Sequence, residues 1–487
     1  MRLHSLIQTA LPDVATGGDN PEIAGVCDDS RHVRVGDVFV ARPGVSGNGT
    51  TFAHDAVAKG AVAVVTQQSI DGVAVPQVIV ADAAASVSPL AEAFFGSPSR
   101  QVKVLGVTGT NGKTTVAYLI RHVLNALDQP CGMIGTVEID DGRTRAEADM
   151  TTPGATRVSE LLATMRDNGC RACAIETSSH ALDQSRVAGV TFAGAGFTNL
   201  TGDHLDYHKT MDAYGDAKAK LFAGLPSDAV AAVNVDSPEH PRMTRDTRGR
   251  VVTFGIENDA DYRATDYAVT AAGTNFVLTT PDGRAEVKTR LVGRHNIENA
   301  LCAITLCCEV FGLPAVAVAG ALKTASGAPG RLQPVGVGGP FAVLVDYAHT
   351  DDALRNVLTA LRPLTRGRLR VVFGCGGDRD PTKRPRMAKV AGRLADDIYV
   401  TSDNPRTEDP RAIINQIVGG FGTTAAGQFL VEPDRRAAIE RAITDAGPGD
   451  VVLIAGKGHE NYQIVGTEKH HFDDVEEAKR VLEAVAS

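Results

Sequence analysis

The chain has 487 residues, of which 43% are hydrophobic and 22% are charged, a composition typical of a folded globular protein. At roughly 150 residues per domain, this length predicts about three domains. The formal net charge of -9 is spread along the sequence, without the basic cluster that a nucleic-acid-binding protein needs. We therefore expect no nucleic-acid partner.

The sequence also argues against a membrane protein. No apolar run approaches the roughly 18 residues that a membrane-spanning helix needs. The N-terminal segment reaches Pro12 and Asp13 too early to contain the apolar core of a signal peptide. We expect a cytoplasmic protein with no membrane insertion.

Most of the eight cysteines lie in apolar runs, where a thiol packs as a small hydrophobic side chain. Cys170 and Cys173 form a CxxC pair, but this pair leads into the strand-like segment ACAIE and has no second pair to complete a zinc site. The pattern favours packing in the core, with a redox or metal role as the alternative.

Residues 1–98 are predicted to form a small α/β domain. A strand-like segment at 36–41 precedes a helical pattern at 52–60, and two further strand-like segments follow at 61–65 and 77–81. The Gly- and Pro-containing segment GSPSR ends this region, and a buried-type strand opens the next one.

Residues 99–331 and 332–487 are predicted to form two more α/β domains. In each region short apolar strands alternate with helical stretches, the pattern of a mostly parallel, doubly wound sheet. The Gly/Pro-rich segment SGAPGR at 326–331 separates the two regions. The predicted strands are VKVLGV (102–107), ACAIET (172–177), GAGFTNL (194–200), AVAAVNV (229–235), FAVLVDY (341–347), RLRVVFGCG (368–376), DDIYVTSD (396–403) and DVVLIAGKG (450–458).

A glycine-rich segment, TGTNGKTT at 108–115, joins the first of these strands to a helical stretch. In that context the backbone amides and the helix N-terminus can hold phosphates, with Lys113 on the β/γ-phosphates and the Thr114 hydroxyl on Mg²⁺. The strict motif has glycine where this chain has Val107. A plain glycine turn is the alternative, but a lysine at a helix N-terminus is unfavourable without an anion. We predict a phosphate-binding loop.

This variant of the loop resembles that of the Mur ligase family, and further segments follow in the family's order. They are MTTPGAT (150–156), ETSSHALDQSR (176–186), FTNLTGDHLDYH (197–208), YGDAKAKLF (214–222), GRHNIENALCAI (293–304), PGRLQ (329–333), VDYAHT (345–350), GCGGDRD (374–380), SDNPRTEDP (402–410) and GKGHE (456–460). The resemblance implies three domains: a small N-terminal α/β domain, a central P-loop domain with a doubly wound, mostly parallel sheet, and a C-terminal Rossmann-like α/β domain.

The resemblance also implies an ATP-dependent ligase that forms an amide bond. In this family ATP phosphorylates a substrate carboxylate, and an amine then attacks the acyl phosphate. The implied catalytic residues are Lys113, Glu176, His204 and Lys218. The implied ATP-binding residues are Gly109, Thr110, Asn111, Gly112, Lys113, Thr114, Thr115, His295, Asn296, Asn299, Arg331 and Asp346. For Asn296, capping of a helix is an equally good interpretation.

The metal site implied by the resemblance contains Mg²⁺ held by Thr114, Glu176, His204 and Lys218, the lysine as its carbamate (N6-carboxylysine). Lys220 competes with Lys218 for this role. The family pattern Y-x-x-A-K starts at Tyr214 and selects Lys218, so Lys220 is expected to be solvated. Oxygen-rich donors suit Mg²⁺, and carbamoylation requires a neutral amine with a depressed pKa.

Two segments indicate the substrates. The N-terminal segment at 27–44 resembles the uridine-binding segment of the branch that acts on UDP-N-acetylmuramoyl-L-alanyl-D-glutamate. The residues implied for this substrate are Asp28, Ser30, Thr151, Thr152, Ser178, Gln184 and Arg186. Taken singly, each could instead make surface hydrogen bonds or cap a helix.

The segment DNPR at 403–406 resembles the motif that recognises meso-diaminopimelate, whereas lysine-adding relatives differ at its last position. The residues implied for this amino acid are Arg379, Asp403, Asn404, Pro405, Arg406, Gly456 and Glu460. Meso-diaminopimelate differs from lysine by one carboxylate, which a guanidinium group is well suited to bind. The alternative for Arg406 is an ion pair with Glu408 or Asp409 in a surface turn.

Two other functions compete with this interpretation. One is another ligase on the same scaffold, such as a folylpolyglutamate synthetase or the enzyme that adds D-Ala-D-Ala, and the joint presence of DDSR and DNPR opposes it. The other is a non-catalytic nucleotide-binding protein, which Glu176, His204 and Lys218 oppose. The expected partners are ATP, the UDP-dipeptide and meso-diaminopimelate, and the expected assembly is a monomer.

Overall fold

The computed structural model describes residues 1–42, 49–270, 273–336, 339–422 and 429–486. The chain forms two compact units. The first contains Met1–Arg263, Thr279–Gly283 and Glu298–Val318, and the second contains Ala264–Leu278, Arg284–Ile297 and Ala319–Ser487. Among the described residues, no helix is both long and apolar enough to cross a membrane.

The N-terminal part of the first unit is the predicted small α/β fold. Its elements are α1 (Leu3–Ala10), β1 (Gly25–Cys27), β2 (Asp37–Val40), α2 (Ala53–Ala58), β3 (Ala63–Thr66), β4 (Gln77–Ile79) and α3 (Ala83–Phe94). The four strands are parallel, in the order β1-β2-β3-β4. Leu6 of α1 and Leu90 of α3 pack with Val38 and Val65 of the sheet in one apolar core.

The rest of the first unit is built on a larger sheet. Its elements are β5 (Lys103–Thr108), α4 (Lys113–Ala126), β6 (Cys131–Ile134), β7 (Glu138–Asp140), β8 (Arg145–Glu147), α5 (Ala155–Asp167), β9 (Ala172–Glu176), α6 (Ser179–Asp183), β10 (Phe192–Phe197), α7 (Leu205–His208), α8 (Met211–Ala223), β11 (Val230–Asn234), α9 (His240–Thr244), β12 (Arg250–Gly255) and the start of β13 (Tyr262–Thr270). Strands β9, β10 and β11 are almost entirely buried, as their near-continuous apolar sequences require.

Strand order explains where this sheet can bind a ligand. Strands β12-β11-β10-β5-β9-β6 are parallel neighbours, and β7 and β8 extend the β6 edge in antiparallel fashion. The chain leaves β5 towards β6 and β9 on one side and later returns to β10 on the other. Such a reversal opens a crevice at the carboxyl end of the central strand, where ligands bind in open α/β sheets.

Three strands and two helices that were not predicted as separate elements follow. They are β13 (Tyr262–Thr270), β14 (Gly273–Thr280), β15 (Gly283–Thr289), α10 (Arg294–Phe311) and α11 (Ala315–Leu322). The strands are consecutive neighbours, and exposed residues alternate with buried ones along much of their length. The search for continuous apolar runs missed them for that reason.

The remainder of the second unit is a doubly wound α/β fold, as predicted. Its elements are β16 (Gln333–Val335), β17 (Ala342–Asp346), α12 (Asp351–Leu361), β18 (Leu369–Phe373), α13 (Lys383–Leu394), β19 (Asp397–Val400), α14 (Pro410–Val418), β20 (Phe429–Val431), α15 (Arg435–Thr444), β21 (Val451–Ala455), β22 (Tyr462–Val465), β23 (Glu468–His471) and α16 (Asp474–Ala486). The main sheet has the order β16-β17-β21-β18-β19-β20, parallel except for β16, and β22 and β23 form a separate antiparallel pair.

Two apolar cores cover the faces of this sheet. Residues of α12, α13 and α14 pack on one face, and residues of α15 and α16 pack on the other. The three-layer arrangement leaves both sheet edges formed by short strands and directs the loops after β17, β19 and β21 to the carboxyl end of the sheet. Those loops carry the predicted amino-acid-binding residues.

The CxxC cysteines lie in the core of the first unit. Cys170 and Cys173 are both buried and are not disulfide-bonded. Burial raises the pKa of the Cys170 thiol and raises that of Cys173 well above its usual range. Neutral, inaccessible thiols are poor nucleophiles and poor metal ligands, which favours the packing role.

A fully buried ion pair joins α15 to α16 in the second unit. Arg435 and Asp474 have no exposed side-chain surface, and the guanidinium donates to both carboxylate oxygens at 2.8 and 2.6 Å. Arg435 also donates to the carbonyl of Ala455 at the end of β21, at 3.0 Å. Removal of one member would leave a buried charge without its partner.

Asp474→Ala is expected to lower the free energy of unfolding by about 3–5 kcal/mol, the usual cost of leaving a buried charge unpaired. Urea denaturation followed by circular dichroism measures it. Glu440→Ala is the matched control, because it removes a carboxylate of α15 from an exposed pair with Arg480. The control is expected to cost about 0–1 kcal/mol. An equal effect of the two substitutions contradicts the importance of the buried pair.

Candidate active site

The phosphate loop, residues 108–115, connects β5 to α4. Gly109 and Gly112 have φ values of 151° and 91°. A Cβ at Gly109 would lie 1.9 Å from Thr198 Oγ1, and one at Gly112 would lie 2.2 Å from Asn299 Oδ1. Both glycines are therefore required by close approach. Val107 is a buried residue of β5, paired with Glu176 of β9, so the glycine turn begins after it.

The loop presents its anion-binding groups at the start of α4. Gly112 is the N-cap and has no side chain to cap the amides of the first turn. The amides of Thr110 and Asn111 instead donate to the carbonyl and side-chain oxygens of Asn199, both at 2.9 Å, which braces the loop. Lys113 Nζ lies over the loop and donates to the carbonyls of Gly109 and Thr110 at 2.9 Å each. Thr115 is buried in the same turn.

Glu176, at the end of β9, has no exposed surface and is held by two threonines. Thr114 Oγ1 donates to Glu176 Oε2 at 2.8 Å. Thr136 donates to it twice, through its amide to Oε1 at 2.7 Å and through its hydroxyl to Oε2 at 3.1 Å. The carboxylate thus lies beside the threonine predicted to bind Mg²⁺. These hydroxyl and carboxylate oxygens are donors that Mg²⁺ prefers.

Lys218 and Lys220 lie in different environments. Lys218 is buried, and its Nζ donates to the carbonyl of Gly109 at 2.8 Å and lies 4.3 Å from the centre of the Tyr214 ring. Burial, reinforced by the charge of Lys113, holds the pKa of Lys218 well below its usual range. Lys220 is exposed and forms a 2.8 Å ion pair with Asp183. Only the buried lysine lies under the phosphate loop.

His204 lies close to the same group. It has a left-handed backbone with a φ of 53°, and its ring contacts those of His180 and Tyr214 at 5.0 and 5.9 Å. Tyr214 therefore contacts both His204 and Lys218. Across the described ranges, no three His, Cys, Asp or Glu side chains converge as a metal site, and the predicted ligands instead combine a threonine, a glutamate, a histidine and a lysine.

The residues predicted to bind the UDP-substrate form a network attached to Glu176. Thr152 Oγ1 donates to the carbonyl of Glu176 at 2.7 Å and accepts from the amide of Ser178 at 3.1 Å. Arg186 donates to the carbonyl of Thr152 and to Gln184 Oε1, both at 2.7 Å. The network connects the glutamate to a guanidinium that a substrate carboxylate or phosphate could bind.

Three other predicted UDP-substrate residues lie around this network. Thr151 Oγ1 accepts from Thr136 Oγ1 at 3.0 Å. Asp28 accepts from Arg42 Nε at 2.7 Å and lines a recess of about 140 Å³ together with Gln184 and Arg186. Ser30 does not line this recess, and its backbone carbonyl accepts from Lys59 at 2.7 Å.

The remaining predicted ATP residues are distributed over both units. In the first, Asn299 lies beside Gly112 of the loop. In the second, Asn296 Nδ2 donates to the carbonyl of Val292 at 2.9 Å, whereas His295 is exposed.

Asp346 ends β17 and is held by backbone amides. Its two oxygens accept from the amides of Leu332 and Ala348 at 2.7 and 2.8 Å, and burial raises its pKa. Arg331 lies over the ring of Tyr347 at 4.8 Å. Arg331, Asp346 and Tyr347 thus lie in one region at the carboxyl end of this sheet.

The predicted amino-acid site gathers at the ends of β19 and β21. Asn404 Nδ2 donates to Glu460 Oε2 at 2.8 Å. A Cβ at Gly456 would lie 2.7 Å from Asp403 Oδ2, so the glycine permits close packing against that carboxylate. Lys457, which the sequence analysis did not select, is fully buried among these residues. A lysine between two glycines directly after a buried strand is a signal that could have identified it.

Arg406 has partners other than the two acidic residues that follow it. Its backbone is left-handed, with a φ of 51°, and its Nη1 donates to the carbonyl of Gly377 at 2.9 Å. Glu408 instead pairs with Arg384 at 2.8 Å, and Asp409 caps α14. The surface ion pair considered as the alternative for Arg406 is therefore absent from its described contacts.

The other predicted residues of this site lie around Arg406. The carbonyl of Pro405 would lie 1.9 Å from a Cβ at Gly377, so the two segments are in close contact. Arg379 donates to the carbonyl of Asp378 at 3.1 Å and is exposed. The structure therefore brings Asp403, Asn404, Gly456 and Glu460 together directly and leaves Arg379 on the surface.

Over 99% of its length, the chain is 44% identical to a Gloeobacter violaceus protein named UDP-N-acetylmuramoyl-L-alanyl-D-glutamate--2,6-diaminopimelate ligase, of which 98% is covered. The chain belongs to the Mur ligase family. Residues 22–97 match the Mur ligase family catalytic domain, residues 107–307 the Mur ligase middle domain, and residues 330–458 the Mur ligase glutamate ligase domain.

Two further comparisons agree with membership of the Mur ligase family. A Synechococcus elongatus protein with the same name is 45% identical, with 94% of each chain covered. A solved structure described by that name is 33% identical, covers 99% of each chain and has a TM-score of 0.74. The Mur ligase fold expected from the sequence is confirmed.

Lys218→Ala is expected to lower turnover by about 10²–10³-fold, the size typical of removing a group that stabilises charge in an active site. Added acetate or formate is expected to restore part of the activity, because a free carboxylate can stand in for a carbamate. Lys220→Ala is the control and should be nearly silent, since exposed ion pairs contribute little. Steady-state rates with and without the added acid test this, and a reversal of the two phenotypes contradicts the choice of Lys218.

Proposed function

We propose that this chain is an ATP-dependent ligase that joins meso-2,6-diaminopimelate to the D-glutamate of UDP-N-acetylmuramoyl-L-alanyl-D-glutamate, in the cytoplasmic stage of peptidoglycan synthesis. The two curated relatives carry this activity in their names. One observation supports the proposal most directly. Glu176 bonds Thr114 of the phosphate helix through its side chain and Thr152 of the predicted UDP-substrate network through its carbonyl.

The first step is transfer of the γ-phosphoryl group of ATP to the substrate carboxylate. A carboxylate oxygen attacks the γ-phosphorus, the bond to the β-phosphate oxygen breaks, and ADP leaves. The amides at the start of α4 and the ammonium of Lys113 meet the negative charge on the phosphates during this transfer. The product is an acyl phosphate, whose carbonyl carbon is a far better electrophile than that of a carboxylate.

Thr114, Glu176 and His204 are the side chains that would hold Mg²⁺, and the first two offer the oxygen donors that this ion prefers. Mg²⁺, when bound, offsets phosphate charge. Burial favours the neutral amine of Lys218, which is the form that can add to CO₂ and lose a proton to give a carbamate. A carbamate on Lys218 would add an anionic oxygen pair under the loop.

The second step is attack by an amine of the amino acid. The amine must be neutral, and it adds to the acyl carbon to give a tetrahedral intermediate that expels phosphate. Nitrogen loses a proton, and the net products are the amide, ADP and phosphate. Asp403 and Glu460 suit an ammonium group of diaminopimelate, and Arg406 suits its distal carboxylate.

A reconstituted reaction tests the function. With ATP, the UDP-dipeptide and meso-diaminopimelate, we expect equimolar ADP, phosphate and a product that contains the new amide, identified by mass spectrometry. L-Lysine is compared side by side and is expected to be a poor substrate. Binding of ATP without release of phosphate would indicate a non-catalytic nucleotide-binding protein.

Lys113→Ala is expected to reduce turnover by several orders of magnitude, because charge on the transferring phosphoryl group loses its nearest side-chain cation. Lys103→Ala is a suitable control, since this exposed lysine of β5 bonds only the carbonyl of Val310 among its printed hydrogen bonds. Phosphate release under saturating substrates measures both. A near wild-type rate for Lys113→Ala contradicts the assignment of the loop.

Arg406→Ala is expected to raise the KM for diaminopimelate and to shrink its advantage over lysine. Lysine leaves the guanidinium without its counter-ion, and a site built around such a polar partner can reject the analogue by roughly 10⁴ to 10⁵. The KM values for ATP and the UDP-dipeptide should change little. Arg411→Ala, in the first turn of α14, controls for loss of an exposed arginine. An unchanged preference ratio in Arg406→Ala contradicts its role in specificity.

A further inference from the structure

A fully buried lysine lies beneath the predicted amino-acid site. Lys457 follows β21 and has none of its surface exposed. Its Nζ donates to Asn404 Oδ1 at 3.0 Å and to the carbonyl of Tyr462 at 2.5 Å. The same nitrogen lies 3.7 Å from Asp403 Oδ1 and 3.8 Å from Glu460 Oε2. One ammonium group therefore contacts three residues predicted to bind diaminopimelate.

The charges in this cluster depend on one another. A buried lysine is costly unless its charge is compensated, and Asp403 and Glu460 provide that compensation. Burial lowers the pKa of Lys457, and the two carboxylates oppose this change. Burial also raises the pKa of Glu460, Asp403 adds to the rise, and Lys457 opposes it. The two carboxylates repel each other across a site that also contains the ammonium.

The other cations around the cluster are committed elsewhere. Arg435 is bound by both oxygens of Asp474 and by the carbonyl of Ala455. Arg406 donates to the carbonyl of Gly377. Neither forms a printed ion pair with Asp403 or Glu460 within the described part of the chain, whereas Lys457 contacts both.

The neutral titratable groups of the cluster do not supply positive charge. Burial raises the pKa of Tyr347, lowers that of His349 and raises that of Cys375 to about 12, so that each is shifted towards its neutral form. The Tyr462 ring lies 5.7 Å from Lys457 Nζ. Lys457 is thus the group whose removal changes the charge next to the two carboxylates.

We propose that Lys457 is a positioning residue for the amino-acid substrate. Its ammonium holds Asp403, Asn404 and Glu460 in place and keeps both carboxylates ionised, ready to bind an ammonium group of the incoming amino acid. Because Lys457 is fully buried, it acts through these side chains and does not touch the substrate. The inference rests on the proposed function, since it concerns the site for the second substrate of that reaction.

Lys457→Met preserves the apolar stem and removes the charge. We expect the acid limb of the pH profile of kcat/KM for diaminopimelate to move to higher pH by about 1–3 units, the shift that an opposite charge at this distance produces. The sign follows from the carboxylates: without the ammonium their pKa values rise, so they lose charge at a higher pH as the solution is acidified. The KM for diaminopimelate at pH 7 should rise about tenfold or more, since one pKa unit corresponds to tenfold.

Two further variants separate charge from packing. Lys457→Gln retains an N–H donor without the charge, and it should show the same shift of the acid limb. Lys469→Met removes an exposed ammonium that lies 3.8 Å from the Tyr462 ring and should leave the profile unchanged. The KM values for ATP and the UDP-dipeptide should stay at wild-type values in all three variants.

Three results would overturn the inference. One is a folded Lys457→Met with the wild-type pH profile, and another is a wild-type profile in Lys457→Gln. The third is a lower thermal midpoint in both variants with parallel increases in all three KM values, which would indicate a purely structural lysine. If the wild-type protein forms no amide from diaminopimelate, the proposed function itself fails, and that result is distinct from these three.

Discussion

The phosphate region depends on one buried carboxylate, that of Glu176. A carboxylate with no exposed surface is stable only when donors satisfy its oxygens. The donors are the hydroxyl of Thr114 in α4 and the amide and hydroxyl of Thr136 after β6. The carbonyl of the same glutamate accepts from Thr152. One residue therefore fixes the start of the phosphate helix relative to two strand ends and to the predicted UDP-substrate network.

The second unit uses the same physical arrangement with the opposite sign at its centre. Lys457 is buried at the end of β21, and its neighbours Asp403 and Glu460 come from the ends of β19 and β21. In both units, charged groups that would be costly alone are stabilised as networks at the carboxyl ends of parallel strands. Such networks hold side chains in one geometry before a substrate arrives, which reduces the cost of ordering them during binding.

Much of this could be predicted from sequence because the relevant signals are local. Continuous apolar runs identified the buried strands, and glycines with a following lysine identified the phosphate loop. Lys218 was preferred over Lys220 from a short pattern, and their burial differs accordingly. Thr136 and Lys457 were missed because their importance comes from contacts with Glu176 and Asp403, which are 40 and 54 positions away in sequence. Strand order and the half-exposed strands β13–β15 were missed because periodicity reports burial of a segment and not its neighbours.

The central claim is that the network around Glu176 serves to convert a carboxylate into an acyl phosphate. The most direct measurement uses a UDP-dipeptide whose reacting D-glutamate carboxylate carries ¹⁸O at both oxygens. After turnover with ATP and meso-diaminopimelate, mass spectrometry of the released phosphate should show one labelled oxygen in each phosphate, with the other label retained in the amide carbonyl. Unlabelled phosphate, or label recovered in AMP, would contradict activation through an acyl phosphate.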